Sequence, residues 1–525
     1  MEKRSNIKLT LDEGLAVKQD LLSDGSSQTL ARLLGVEEAC LLRCSVDARR
    51  KGDVRFVVTA GLGERGPVVP LEERGLPARR REGARPVVVG AGPAGLFAAL
   101  ELAEAGFSPV VVERGAPVEE RRADVERYLR TRVLDCESNV QFGEGGAGTF
   151  SDGKLATGTK SPLIPQVLET FVAAGAPAET LWQAKPHLGT DVLAGVVASL
   201  RRRIVACGGE FAFHTKLVGL VEDGGAVAGV RLEHAGEERV LPCGRVVLAL
   251  GHSARDSFGM LEEAGFTLEP KPFSIGVRIE HRQEAIDRAQ YGASAGHPAL
   301  GPADYKLSCH LGGGRSVYTF CMCPGGEVVA ASSEEGGLCV NGMSYQARAG
   351  ENANAALLCD VTPADFPGGG PLSGVAFQRR WEQAAFRAGG GDWRAPAETV
   401  GDFLATTGGS GRRRGHGVVS ASYPLGVREA DLGVCLPDFA LGALREALPV
   451  FDRKLSGFAD AGVLLTGVEA RSSSPVRIVR DPKTLMAARM RGVYPCGEGA
   501  GYSGGITSSA VDGIRCARAV IASLE

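Results

Sequence analysis

Short, wholly apolar runs alternate along the chain with mixed stretches at helical spacing. Val87–Val89 is one such run and 109–112 (PVVV) another. Each has the length of a strand buried on both faces. Between them, 96–107 (LFAALELAEAGF) reads as a helix, so the unit predicts a parallel α/β core. Upstream, residues 1 to about 80 read as a small separate α+β module. Its predicted elements are strand-like Asn6–Leu11, helical Gln28–Leu34 and Val36–Leu42, and strand-like Asp53–Ala60. Cys40 and Cys44 then sit i, i+4 on a helix, a spacing that two small buried side chains explain. Residues 71–85 (LEERGLPARRREGAR) are charged and turn-rich and read as a linker. Near the C-terminus, Val493-Tyr494 forms a short strand before a glycine-rich turn and a helical run.

The turn after the first run is Gly90-Ala91-Gly92-Pro93-Ala94-Gly95, a G-x-G-x-x-G, and the second run ends in Glu113, 18 residues after Gly95. Gly90 permits a tight turn, Gly92 lets backbone approach a pyrophosphate, and Gly95 lets helix pack on strand. The helix N-terminus, with Pro93 and Ala94 in its first turn, offers amides and a dipole to phosphates. Glu113 can accept from ribose hydroxyls, with Arg114 beside it. A second match, Gly61 to Gly66, also follows a strand-like run. Prolines stand where its helix should start and no strand and acid follow, so it is set aside.

Composition narrows the class. The chain has 525 residues and a net charge of −3, which argues against a basic nucleic-acid surface. No apolar stretch of about 18 residues occurs, so no membrane span is expected. The charged start lacks an apolar targeting segment, and the expected location is cytoplasmic. Thirteen cysteines, with no C-x-x-C, read as reduced thiols, and no zinc spacing is present, so no metal site is expected. Arg outnumbers Lys 47 to 12, so a lone Arg carries little weight and a well-placed Lys more. Seventy-three glycines, about twice the usual share, imply backbone brought close to something.

The first motif serves NAD and FAD alike; the C-terminus discriminates. Gly497-Glu498 turns sharply after a strand, and Gly504-Gly505-Ile506 opens a helix. This resembles the second FAD motif of the two-motif flavoprotein superfamily that includes glutathione-reductase-like enzymes, where Asp usually stands at Glu498. The resemblance implies that Glu498 meets the ribityl chain and that the helix dipole faces the flavin, stabilising negative charge on it. It also implies that 245–251 (RVVLALG) ends at the nucleotide with Gly251. The strand 211–221 would contact adenine near Leu217 or Val218. Residues 139–155 (NVQFGEGGAGTFSDGKL), with 185–191, 317–329, 341–358 and 466–478, narrow this further. Together they look like the bacterial family of uncharacterised FAD-dependent dehydrogenases, within the NAD(P)/FAD-dependent oxidoreductases, over essentially the whole chain. The family implies FAD and a small N-terminal domain, but no substrate.

The expected architecture is therefore α/β: a Rossmann-like FAD-binding domain (85–255 and 461–525), an inserted α+β substrate domain (256–460) and the small N-terminal α+β domain (1–80). By resemblance, Gly143, Gly145, Gly146 and Gly148 bring backbone to the flavin or pyrophosphate. Lys154, just beyond them, can stabilise a developing anion. Arg278 and His281 offer a cation and a proton carrier near a domain junction. Arg471 can fork onto a substrate carboxylate. His187 and His310 make no stronger case. A disulfide reductase needs an early cysteine pair, and only Cys136 lies there. Cys321 and Cys323, a C-x-C on a strand-like run, share a face and read as core, with oxidation or, with Cys309 nearby, a soft-metal site as the alternatives. No second nucleotide unit exists for NAD(P)H, which would act as a transient donor at the flavin face. The basic run 408–417 reads as a solvated loop. The expected function is hydride transfer between flavin N5 and a small molecule. An FAD-dependent RNA-modifying enzyme and a non-catalytic flavin redox sensor are the alternatives. The electron donor or acceptor and the oligomeric state stay open.

Overall fold

The computed structural model describes every residue except 1, 25, 79–82, 84 and 406–418. The basic run 408–417 lies outside the described residues. Five parallel strands form the nucleotide sheet, in the order Val493–Pro495, Val246–Leu248, Val87–Val89, Val110–Val112 and Glu210–Ala212. Strand alternation divides their side chains between two cores. Val88, Val111 and Val247 pack beneath the helices Pro93–Glu104, Thr190–Ala206 and Ile506–Ala522. Val87, Val89, Val110 and Val112 pack on the other face against Leu217, Val230 and Phe258. Both faces are covered, which is why these strands read as continuous apolar runs.

The predicted strand over 211–221 is two strands. Glu210–Ala212 completes the parallel sheet, and Thr215–Asp223 begins an antiparallel meander with Ala226–His234 and Glu237–Pro242. His214, at φ 50, makes the corner between them.

A seven-stranded, mainly antiparallel sheet forms the second body. Its central strand, Phe273–Arg282, pairs with Asn352–Val361 on one side and Leu464–Glu469 on the other. The chain enters through Leu268–Pro270 and returns through Val476–Ile478, and these two segments pair antiparallel as a ribbon. Residues 255–263 form a helix whose Phe258 and Leu261 belong to the nucleotide-side core. The strands of this second sheet fall between Phe273 and Glu469.

The N-terminal module has three strands, Lys3–Leu9, Arg55–Leu62 and Ala39–Asp47, and two helices. The predicted helix over Val36–Leu42 is instead the start of a strand. Gly35, at φ 65, closes the helix Gln28–Leu34, and 39–47 then pairs with 55–62. Cys40 and Cys44 therefore lie on a strand, and both are buried in the module. A helix also spans Leu11–Asp24. Its signal is present: Thr10 and Glu13 form a capping box, with Glu13 accepting from the Thr10 N–H and Thr10 Oγ1 from the Glu13 N–H. The module docks through backbone bonds from Cys44 to Trp182 and Ala184, next to Lys185.

A candidate FAD site between the two sheets

A single cavity of about 670 Å³ runs along the carboxyl ends of the parallel strands and onto the second sheet. Such sheets place ligands at this edge. Gly90, Glu113, Ala249 to Gly251, and Cys496 with Glu498 follow four of the strands directly and border it.

Its floor is a chain of close backbone approaches. A Cβ on Gly90 would stand 2.2 Å from the Ala249 carbonyl oxygen, and one on Gly95 1.8 Å from the Gly90 oxygen. A Cβ on Gly146 would lie 3.1 Å from Gly92 Cα, and one on Gly148 3.1 Å from Ile506. Thr507 Oγ1 then donates to the Leu155 carbonyl at 2.7 Å, tying the last helix to the Lys154 segment. Gly251, Gly504 and Gly505 face open space within 4 Å of their missing Cβ. These positions fit a long ligand laid against bare backbone, as a dinucleotide is.

Glu113 is buried and already bound: Oε2 accepts from the Ala91 N–H at 2.8 Å, and Oε1 from those of Gly115 and Gly143 at 3.0 Å. A carboxylate offers about four acceptor sites, so capacity remains for a ribose hydroxyl. The same residue ties the first motif to the glycine loop, which the sequence did not disclose. Arg114 spans Glu137 and Asp256 and stacks 4.2 Å over Phe142. Glu498 accepts from the Gly505 N–H at 3.3 Å, and burial pushes its pKa up to about 7.

Of the expected cofactor residues, Gly90, Gly92, Pro93, Ala94, Glu113, Arg114, Gly146, Gly148, Leu217, Gly251, Glu498, Gly504, Gly505 and Ile506 border the cavity. Four others stand behind its wall. Gly95 is a helix–strand contact. Gly145 donates to the Ala91 carbonyl, and Gly497 to Asp512. Val218 lies in a bulge between Leu217 and Gly219 and does not border the cavity.

The expected catalytic groups divide. Lys154 borders the cavity, held by Asp152 and the Met322 carbonyl. Asp152 also accepts from Arg348, at 3.0 Å to Nε and 2.5 Å to Nη2. Arg278 does not reach the cavity. It is fully buried, with Nε 2.5 Å from Glu469 and Nη groups on Asn341, Asn354 and the Cys321 carbonyl. His281 lies on the opposite face of the same strand, against Tyr305 and Phe458, with Nε2 2.9 Å from the Phe458 carbonyl. Burial lowers its pKa to about 4. A strand buried on both faces puts its charged residues in core, where they must be paired or neutral. Arg471 does border the cavity, but its fork is taken: Nε and Nη2 each bind Glu382 at 2.8 Å. His252, overlooked in the sequence, borders the cavity after Gly251, and burial beside Arg471 and Arg255 keeps it neutral, with a pKa near 3.

Cys321 and Cys323 both border the cavity, but not as a regular same-face pair. A bulge between Phe320 and Cys323, with Cys321 at φ 40, breaks the alternation. Burial raises both thiols, Cys321 to about 12, so they are protonated at neutral pH. Among the described residues one trio has metal-ligand spacing: Cys496, Asp512 and Cys516. Arg480 already donates to Asp512 at 2.7 and 2.9 Å and to Cys516 Sγ at 3.4 Å, placing a positive charge there.

The fold and the two glycine motifs meeting in one cavity define a flavoprotein of the two-motif Rossmann class. Residues 84–138 match the family described as FAD binding domain, and 272–472 match that described as FAD-dependent protein, C-terminal domain-like. A protein of Clostridium beijerinckii, itself described as uncharacterised, is 42% identical over 536 residues, with 98% of each chain covered. The chain belongs to this family of FAD-dependent proteins, and FAD is its cofactor. Among solved structures, a flavin-dependent brominase variant is 11% identical, covering 84% of this chain and 81% of that one, with a TM-score of 0.39. A geranylgeranyl bacteriochlorophyll reductase-like protein of Thermoplasma acidophilum is 13% identical, covering 85% and 79%, with a TM-score of 0.36. Overlap this loose says nothing about the reaction. Among the described residues, no helix is long and apolar enough to cross a membrane.

Proposed function

We propose that this protein is an FAD-dependent oxidoreductase acting on a small molecule between its two sheets. The observation that carries the reading is the continuity of the cavity: it passes from Glu113 along the glycine floor to Ile506, then on to Tyr305, Phe320 and Met322 of the second body. The far part exceeds what the nucleotide motifs need and supplies a place for substrate. Bound FAD would supply hydride transfer at its N5.

The chain's own groups orient, shield and charge that place. The cavity-bordering residues of the two glycine motifs would hold the cofactor, with Leu217 beside the adenine. The N-terminus of the helix Ile506–Ala522 presents amides and a positive dipole end. Lys154 has one N–H beyond its bonds to Asp152 and Met322 with which to steady a developing anion or deliver a proton. A nicotinamide donor would enter through the same far part. Purified protein should be yellow with a flavin spectrum, and anaerobic NADH or NADPH should bleach it. A colourless protein that fails to take up FAD removes the reading. A yellow protein that no donor or substrate reduces leaves it a flavin carrier, not an oxidoreductase.

A further inference from the structure

Beyond Ile506 the cavity has two kinds of wall. One is apolar, made by Tyr305, Phe320, Met322 and Pro324. The other carries charge, and its balance is uneven. Glu469 is answered by buried Arg278, Arg471 by Glu382, and Lys185 by Asp304 at 2.7 and 2.9 Å. Asp152 alone answers both Lys154 and Arg348, which leaves one positive charge over. Lys306, exposed at the rim, adds another. Three of the chain's twelve lysines thus gather here, in a protein of net charge −3. Low-dielectric walls focus such a field into the cleft. Arg348 Nη1 lies outside its pair with Asp152, so a planar donor group is still to be used.

We propose that the substrate is an organic acid: a carboxylate recognised by Arg348 and Lys154, joined to an apolar body lying on Phe320 and Met322. This rests on the oxidoreductase reading and names the substrate class for that same site. A cationic amine would stand beside a surplus of like charge, and a neutral ligand would leave that surplus unmatched. One surplus charge at Asp152 matches one carboxylate.

The test uses the FAD-loaded protein and three probes that share a body and differ in head: phenylacetate, phenylacetamide and 2-phenylethylamine. Each is titrated while the flavin absorbance is followed. Phenylacetate should perturb the spectrum and bind at least tenfold more tightly than the other two, with affinity falling as salt rises. Arg348→Met should weaken phenylacetate about tenfold and leave phenylacetamide unchanged. Lys306→Glu, an exposed change that spares the fold, should weaken phenylacetate several-fold. Tighter or equal binding of the amine or amide, or no response to phenylacetate, overturns the proposal. Anaerobic bleaching by NADH or NADPH in that same sample keeps the oxidoreductase reading, so the two failures are separable. A protein that takes up no FAD overturns both.

Discussion

Arg121 has no part in any nucleotide motif, yet it holds the glycine loop in place. Its fully buried guanidinium donates to five carbonyl oxygens, those of Asn139, Val140, Gly143, Glu144 and Gly146. Lysine has three donors and no fork, so Arg121→Lys strands carbonyls in the interior. Each stranded group costs about 1–3 kcal/mol. The expected outcome is a lower melting temperature and FAD affinity down at least tenfold, read by flavin fluorescence. Glu144 sits beneath the same loop, fully buried, with Oε2 accepting from the Val118 N–H and lying 3.2 Å from Arg201 Nη1, and Oε1 without a hydrogen-bond partner. Burial raises its pKa to about 7. The folded state therefore favours the protonated acid. Its contribution is full below the ordinary value near 4.5 and is lost as pH rises through about 7. Glu144→Gln should remove that loss. Relative to the parent, its melting temperature should be higher at pH 8 than at pH 5.

At the scale of elements, glycines of one motif do different work. Gly504 precedes the last helix, and a Cβ there meets nothing within 4 Å. Gly513 lies inside the helix, where a Cβ would stand 2.1 Å from the Ala94 carbonyl oxygen. Gly504 belongs to the turn that opens the helix, whereas Gly513 serves contact between the two helices. Gly513→Ala should destabilise by about 1–3 kcal/mol through overpacking. Gly504→Ala should leave the apo melting temperature unchanged and weaken FAD binding. Thermal melts with and without FAD separate the two. The N-terminal module makes the converse point. Its strand over 39–47 carries a pattern that also fits a short helix, and pairing with 55–62 decided between them.

For the whole molecule, a buried ion cluster joins the nucleotide side to the second body. Arg255, on the nucleotide side, and Arg471, after the second sheet, both bind Glu382 of the helix Ser373–Ala388. Burial alone would raise the Glu382 pKa, but the two guanidiniums overcome it and hold it near 2. Glu382→Gln leaves two buried cations short of a partner, at a cost of about 3–5 kcal/mol. Its urea midpoint at pH 7 should fall accordingly. The stabilisation from Glu382 is present above its ordinary value and fades as pH falls toward about 2, so parent and variant should converge in acid.

The sequence by itself determined the nucleotide half. Val87–Val89, Gly90 to Gly95 and Glu113 form one local unit whose spacing is dictated by strand, turn and helix geometry. Gly504-Gly505 opening the last helix is equally local. What it left open depended on partners far along the chain. Arg278, His281 and Arg471 offered the right chemistry, but tertiary structure put the first two in the faces of a buried strand and closed the third on Glu382. Conversely, Asp152, Lys154 and Arg348 lie nearly two hundred positions apart at their extremes and became one charged wall only on folding. Short-range pattern encodes elements because it repeats within a few residues. Burial and charge pairing do not, because they depend on which distant residues the packed core brings opposite one another.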